Sequence, residues 1–75
     1  MINWAKLLVG RTMAAHAHEN MEEIFFILSG SAMFRAGDHE VLLTRGDAIR
    51  VSARETHEMK ALGKKEVLYI VIGIV

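Results

Sequence analysis

Short apolar segments separated by turn residues run along the whole chain. The turn signals lie at Gly10, Glu19-Asn20, Gly30, Ala36-Gly37-Asp38, Arg45-Gly46-Asp47, Ala53-Arg54-Glu55 and Leu62-Gly63-Lys64. The segments between them are about five to nine residues long, a spacing typical of an all-β sandwich or barrel. We therefore predict a jelly roll of about eight short antiparallel strands. The predicted strands cover residues 4–9, 12–18, 23–28, 31–36, 40–44, 47–52, 56–61 and 66–74.

Two of these segments do not alternate between apolar and polar positions. Residues 24–28 (IFFIL) and 67–75 (VLYIVIGIV) are apolar at successive positions, which indicates strands that are covered on both faces. One face would meet the interior, and the other would meet a partner. Hydrophobic residues make up 52% of the chain, more than so small a domain can bury by itself. We therefore predict a homodimer.

The segment from Thr12 to Met21 is the one place where residue propensity favours a helix, because it contains several alanines and methionines. We nevertheless predict a strand. In a strand, His16 and His18 leave the same face, with Cα atoms roughly 6.5–7 Å apart, so both imidazoles can reach one ion. Glu22 and Glu23 open the next apolar segment, which we predict to fold back beside the first strand and to add a carboxylate to the histidines.

Composition narrows the classes of function. The 75 residues predict a single domain, 1–75, which buries only about 60% of its unfolded surface and would gain from a metal or a partner chain. Nine basic and nine acidic residues cancel, which argues against nucleic acid or an anionic membrane as the partner. Cysteine is absent, which excludes disulfides and thiolate zinc sites. No signal peptide or membrane-spanning segment is evident, so we predict a cytoplasmic protein without a membrane partner.

Four residues with metal-binding side chains fall into a recognisable pattern of spacings. The first part of the pattern consists of Gly10, five residues, His16-Ala17-His18, four residues, Glu23, six residues and Gly30. The second part consists of Gly46 and His57. This arrangement resembles the cupin family. The first cupin signature matches at every fixed position. The second matches at Gly46 and His57, but this chain has Ser52 and Arg54 where cupins usually have proline and glycine, and Ala61 replaces the usual asparagine. We expect this turn to be less constrained than in other cupins.

The resemblance implies that His16, His18, Glu23 and His57 bind one divalent metal inside a cupin-type jelly-roll β-barrel. Donor chemistry agrees, because three imidazoles and one carboxylate suit Mn, Fe, Ni, Co, Cu or Zn better than calcium. The lack of thiolate argues against a closed structural zinc site. A metal that prefers six ligands would keep two positions for water, dioxygen or a small-molecule ligand.

Several neighbouring residues allow more than one interpretation. Glu22 is the competing carboxylate, but strand alternation puts it on the face opposite Glu23, and the family spacing selects Glu23. We expect His39 to be an exposed residue of a turn. Arg35 and Arg50 either point into the cavity, where they would hold a carboxylate or phosphate, or lie on an outer face. Tyr69 is expected in the core.

Three functions are compatible with such a site. The first is a small metalloenzyme with dioxygenase-like or Lewis-acid chemistry on a small polar molecule. The second is a metal-dependent binding module for a sugar or an anion, without catalysis. In the third, the metal only stabilises a very small barrel. The four expected ligands are common to all three, so the ligands alone do not identify the function.

Overall fold

Eight β-strands account for the regular secondary structure of the computed structural model, which describes residues 1–17 and 19–75 and, at residues 14–16, the backbone only. The strands are β1 (Ile2–Leu7), β2 (Thr12–His16), β3 (Glu22–Ser29), β4 (Ser31–Ala36), β5 (His39–Thr44), β6 (Ala48–Val51), β7 (His57–Ala61) and β8 (Val67–Ile74). Within this described part, the chain has no helix that is long and apolar enough to cross a membrane. The strand predicted over residues 12–18, in place of a helix, is confirmed over Thr12–His16.

The strands form two antiparallel four-stranded sheets that pack face to face as a jelly roll. Sheet A has the order β1-β8-β3-β6, and sheet B has the order β2-β7-β4-β5. Chain neighbours mostly lie in different sheets, and β4 with β5 is the one pair of consecutive strands joined side by side in the same sheet. The predicted all-β jelly roll is confirmed.

Two details of the prediction were wrong. The first strand ends at Leu7 rather than at residue 9, because a turn closed by a hydrogen bond from the Arg11 amide to the Leu8 carbonyl begins there. The strand β3 does not lie beside β2. It pairs with β8 and β6 in sheet A, whereas β2 pairs with β7 in sheet B. The segment between β2 and β3 therefore connects the two sheets, and Glu23 approaches the site from the opposite wall.

The core lies between the two sheets and is built from alternate residues of each strand. Phe25 and Ile27 of β3 point inward from sheet A, and Phe34 and Met59 point inward from sheet B. The rings of Phe25 and Phe34 meet with centroids 5.0 Å apart at an interplanar angle of 56°. Burial of each such side chain contributes about 1.5–3 kcal/mol to stability, so these contacts hold the sheets together.

The outer faces of the two sheets differ in polarity. Strand register places Ile2, Ile72 and Ile24 in one row of sheet A and Trp4, Ile70 and Phe26 in the next. We refer to these six residues as the apolar face. Sheet B instead carries Arg35, Glu40 and Glu58 side by side on its outer surface. The apolar face explains why residues 24–28 and 67–75 lack alternation, since both sides of their strands are apolar.

Candidate functional site

Glu23 is one of the few charged side chains of the described residues that the fold buries. It is the second residue of β3, with 5% of its surface exposed, and it lies between Gly73 of β8 and Val51 of β6. Its neighbour Glu22 points outward and pairs with Arg50, with 2.9 Å between Oε2 and Nη2. Strand alternation thus separates the two carboxylates as predicted, with Glu23 inside.

His57 faces Glu23 from the other sheet. It is the first residue of β7 and is 2% exposed. Its Nδ1 atom lies 3.0 Å from the Glu55 carbonyl oxygen. Because a carbonyl can only accept, Nδ1 carries the hydrogen and donates it. In the neutral ring, Nε2 then holds the lone pair, and it lies 3.1 Å from Oε1 of Glu23.

The loop before His57 is held by its own hydrogen bonds rather than by the usual proline and glycine. The Ser52 amide donates to Oε1 of Glu55 over 3.4 Å, and the Glu55 amide donates to the Ser52 carbonyl over 3.1 Å. Arg54 occupies the left-handed region, with φ of 68°, at the position where other cupins have glycine. The expectation of a less constrained turn stays a prediction, and the contacts between Ser52 and Glu55 are the restraints that the structure shows there.

Aromatic rings enclose the imidazole of His57. Phe34 stacks on it with centroids 6.0 Å apart and planes 8° from parallel, and the edge of Phe25 contacts it at a centroid distance of 5.4 Å. These rings exclude water from that side of the imidazole. Charge interactions at Glu23 and His57 are therefore stronger than they would be at the surface.

Tyr69 is a further polar group in the interior, and its nearness to the site was missed by the sequence analysis. The side chain is 8% exposed, and its hydroxyl donates a long hydrogen bond of 3.9 Å to Sδ of Met13. Burial raises the pKa of the Tyr69 phenol, and the negative charge of Glu23 raises this pKa further. The prediction that Tyr69 lies in the core is confirmed. Because residues 67–75 are apolar at successive positions, the sequence pattern signals neither the face on which Tyr69 lies nor its neighbours.

Of the two remaining expected ligands, His16 and His18, the structure describes only the backbone of His16. His16 ends β2, and its backbone pairs in register with His57. The side chain of His16 and the whole of His18 lie outside the described residues. Within the described residues, no group of three or more potential metal ligands comes together. The ligand roles of His16, His18, Glu23 and His57 therefore stay a prediction, for which the structure supplies the positions of Glu23 and His57.

The chemistry of these two residues fits a divalent transition metal. An imidazole whose Nδ1 hydrogen is engaged by a backbone carbonyl presents Nε2 as a ligand, an arrangement common in metal sites. A carboxylate oxygen and this nitrogen face each other over 3.1 Å in a buried setting. A carboxylate oxygen and an imidazole nitrogen are ligand atoms that one transition-metal ion can bind together.

The other candidate residues lie away from the interior. Arg35 pairs with Glu58 on the outer surface of sheet B, and Arg50 pairs with Glu22 on that of sheet A. Of the two interpretations of these arginines, the outer-face one is therefore confirmed. His39 is exposed as predicted, but it begins β5 instead of lying in the turn, with its Nε2 atom 3.5 Å from Asp38.

Comparison with known proteins gives the same family as the spacing of the motifs. Residues 3–73 match the family described as Cupin domain. The chain is 28% identical over 69 residues to an oxalate-binding protein of Thermotoga maritima, a match that covers 92% of this chain and 57% of that protein. The chain therefore spans a little more than half the length of this relative.

Solved structures resemble the fold closely. A predicted oxalate decarboxylase (tm1287) from Thermotoga maritima superposes with a TM-score of 0.94 at 25% identity, covering all of this chain and 65% of that one. The TT1209 protein of Thermus thermophilus superposes with a TM-score of 0.88 at 27% identity, covering 93% of this chain and 67% of that one. Both similarities extend over nearly the whole jelly roll described above.

Proposed function

Because this chain belongs to the cupin family, we propose that it holds one divalent transition metal with His16, His18, Glu23 and His57 and binds a small carboxylate there. The facing of Glu23 and His57 over 3.1 Å in the buried interior is the observation that carries this proposal. A metal at such a site supplies a Lewis-acid centre for the oxygen atoms of a ligand. The metal is Mn, Fe, Ni, Co, Cu or Zn by its donor set.

Oxalate is the ligand that we propose first. A relative over 92% of this chain is an oxalate-binding protein. Both arginines considered for anion binding, Arg35 and Arg50, are engaged on the outer faces. Of the described residues, none with a basic side chain other than His57 is buried. The charge of a carboxylate in the interior would therefore be balanced mainly by the metal, which makes binding metal-dependent.

Binding without turnover is the function that these observations favour, and decarboxylation is the second candidate. A predicted oxalate decarboxylase is among the structures that superpose on the whole chain. That reaction converts hydrogen oxalate to carbon dioxide and formate, so it needs no oxidant. Within the described interior, the groups able to move a proton are Glu23, His57 and Tyr69. Two of the three are expected to be committed to the metal, which leaves little acid–base capacity for catalysis.

The test starts from protein purified without a metal-chelating tag, beside the His57→Ala variant. Elemental analysis should find close to one equivalent of a transition metal in the wild-type protein and much less in the variant. Calorimetric titration with oxalate should then show binding to the metal-loaded protein and none to the chelated protein. Absence of metal from both proteins, even after incubation with metal salts, would overturn the proposal.

The same samples separate the competing functions. Formate and carbon dioxide released from oxalate by the metal-loaded protein would select the decarboxylase. Oxygen uptake with another substrate would point to the dioxygenase-like chemistry considered from the sequence. A large loss of stability on chelation, with no binding of oxalate, sugars or other anions, would leave the metal with a structural role only.

We also propose that two copies of this chain pair through the apolar face. A stable interface buries about 800 Å² per partner, roughly a sixth of the 4899 Å² of accessible surface, which one face of a two-sheet molecule can supply. The ion pairs flanking the apolar face, Lys6 with Glu66 and Arg50 with Glu22, are neutral as pairs. A second copy would therefore meet matching apolar surface without repulsion between like charges. The single domain 1–75 and the cytoplasmic location stay predictions.

A further inference from the structure

Tyr69 presents a hydroxyl group in the interior between the two sheets, beside Phe25, whose ring also contacts His57. It belongs to β8 in sheet A, while Met13, the residue its hydroxyl contacts, belongs to β2 in sheet B. The side chain therefore crosses the space between the sheets. Among the described residues, the buried side chains that carry oxygen or nitrogen are Glu23, His57 and Tyr69. Tyr69 is thus the one neutral hydroxyl of this set.

The position of the phenol relative to the site follows from Phe25. The ring centroid of Phe25 lies 5.4 Å from that of His57 and 6.0 Å from that of Tyr69. The imidazole and the phenol therefore flank the same ring. The charge of Glu23 also acts on Tyr69 and, with burial, keeps the phenol protonated by raising its pKa. The hydroxyl is consequently a hydrogen-bond donor at neutral pH.

The present acceptor of this hydroxyl is a weak one. A thioether sulfur accepts hydrogen bonds poorly, and the distance from the Tyr69 oxygen to Sδ of Met13 is 3.9 Å. A carboxylate oxygen is a much stronger acceptor, because a hydrogen bond to a charged group is roughly twice as strong as one between neutral groups. Exchange of the sulfur for such an oxygen would therefore be favourable in the buried interior.

We propose that the Tyr69 hydroxyl donates a hydrogen bond to an oxygen of the carboxylate ligand and so takes part in recognising it. This inference rests on the proposed binding of a small carboxylate and adds a residue outside the four expected metal ligands. Tyr69 would favour ligands that carry a negatively charged oxygen acceptor in addition to the atoms bound to the metal. Ligands without a second oxygen acceptor, such as azide, do not gain from it.

The test compares the wild-type protein with Tyr69→Phe, which removes only the hydroxyl, and with Met13→Leu, which removes only the present acceptor. Each metal-loaded protein is titrated with oxalate in a calorimeter after its metal content has been measured. We expect Tyr69→Phe to keep its metal and to bind oxalate about tenfold more weakly, in line with one lost hydrogen bond to a charged group. Met13→Leu should bind oxalate at least as tightly as the wild type. Azide affinity should be the same in all three proteins.

A spectroscopic readout tests the same contact without a variant. Tyr69 is the only tyrosine of the chain and Trp4 lies exposed on the outer face, so the tyrosine bands of an ultraviolet difference spectrum on addition of oxalate report this phenol. We expect a shift of the tyrosine band with oxalate and none with azide. Equal oxalate affinity of wild type and Tyr69→Phe, or an unshifted band at saturating oxalate, would overturn this inference alone. Failure of the metal-loaded wild type to bind oxalate would instead overturn the proposed function.

Discussion

The two ring nitrogens of His57 have different partners, and this difference suits the residue to the proposed role as a metal ligand. Nδ1 donates to the Glu55 carbonyl, which fixes the orientation of the ring, while Nε2 faces Glu23. Stacking with Phe34 restricts rotation of the ring further. A metal would therefore meet a nitrogen ligand that is already oriented, and binding would lose little side-chain entropy.

Replacement of each neighbouring glutamate by alanine tests the carboxylate assignment. Glu23→Ala removes a buried carboxylate beside His57, so we expect the purified variant to lose most of its metal. Glu22→Ala breaks only an exposed pair with Arg50, worth about 0.5 kcal/mol, and should keep its metal. Elemental analysis of the two variants side by side is the measurement. Equal metal content in both would remove Glu23 from the proposed ligands.

The ionisation of Tyr69 provides a test of its surroundings. Burial, followed by the charge of Glu23, raises the pKa of Tyr69 above the ordinary value of 10.0. Because folding favours the neutral phenol, its contribution to stability is complete below pH 10 and is lost as the pH rises through the folded-state pKa. Absorbance of the single tyrosine should therefore titrate at a higher pH in the folded protein than in urea.

Two variants serve as controls for this titration. Glu23→Gln removes the charge and should lower the folded-state midpoint while leaving it above the value in urea, since burial remains the larger cause. Tyr69→Phe should remove this group's share of the loss of stability at high pH. Identical midpoints in folded and unfolded wild-type protein would mean that the phenol is exposed in solution.

At the scale of the elements, the loop from Ser52 to His57 compensates for the unfavourable backbone conformation of one of its residues, Arg54. Arg54 adopts φ of 68°, which costs a residue with a Cβ atom about 1 kcal/mol. The two hydrogen bonds between Ser52 and Glu55 hold the loop in this conformation. The loop then delivers the Glu55 carbonyl to Nδ1 of His57.

Arg54→Gly should therefore stabilise the protein by about 0.5–1 kcal/mol, because glycine adopts this conformation without strain. Urea denaturation gives the free energy of unfolding. Arg54→Ala is the matched control, since it removes the same guanidinium group but keeps the Cβ atom, and it should stay close to the wild type. A glycine variant no more stable than the alanine variant would contradict the strained conformation of Arg54.

Two glycines of the motifs differ in the space around them. Gly30 and Gly46 have similar φ angles, 88° and 91°. A Cβ atom on Gly30 would lie 2.5 Å from the Glu66 carbonyl oxygen, whereas one on Gly46 would have nothing within 4 Å. We expect Gly46→Ala to destabilise by about 1 kcal/mol from strain alone, and Gly30→Ala by about 3 kcal/mol. Equal losses of the free energy of unfolding in urea would show that the backbone near Glu66 shifts to accommodate the added Cβ atom.

For the molecule as a whole, the contrast between the outer faces decides where a second copy can pair. The outer face of sheet A is apolar across three strands, with Trp4 70% exposed and Ile2 76% exposed. Sheet B presents charged side chains instead. Burial of the apolar face would add hydrophobic stabilisation to a chain that is short of core.

Substitution of Trp4 by lysine should weaken the proposed homodimer by placing a charge in the apolar face. Sedimentation at micromolar concentration should give a dimer for the wild type and a monomer for Trp4→Lys. Leu42→Lys is the matched control, because Leu42 is an exposed apolar residue of sheet B. It should leave the dimer intact. Trp4 is the only tryptophan, so its emission should shift to the blue as the wild-type dimer forms. A monomeric wild-type protein would exclude the dimer.

The sequence by itself determined the number and the approximate positions of the strands and the separation of the two glutamates onto opposite faces. Turns and the two-residue period of a strand depend on residues that are close together in the sequence. They can therefore be predicted from the sequence without knowledge of the tertiary structure. The placement of Glu22 and Glu23 on opposite faces follows from that period, whereas the choice of Glu23 as the inward residue came from the spacing of the family motif. The family of the chain likewise followed from the spacing of the two motifs and is confirmed over residues 3–73.

Only the tertiary structure decided which strands are neighbours and which interior groups meet. The sequence analysis put β3 beside β2, whereas packing of the whole chain placed it between β8 and β6. Tyr69 and Met13 are 56 positions apart, and no local pattern relates them. Such contacts depend on how all the strands share one core, because many pairings satisfy the same alternation of side chains. The meeting of Glu23 with His57, and that of Tyr69 with Met13, are therefore products of the complete jelly roll.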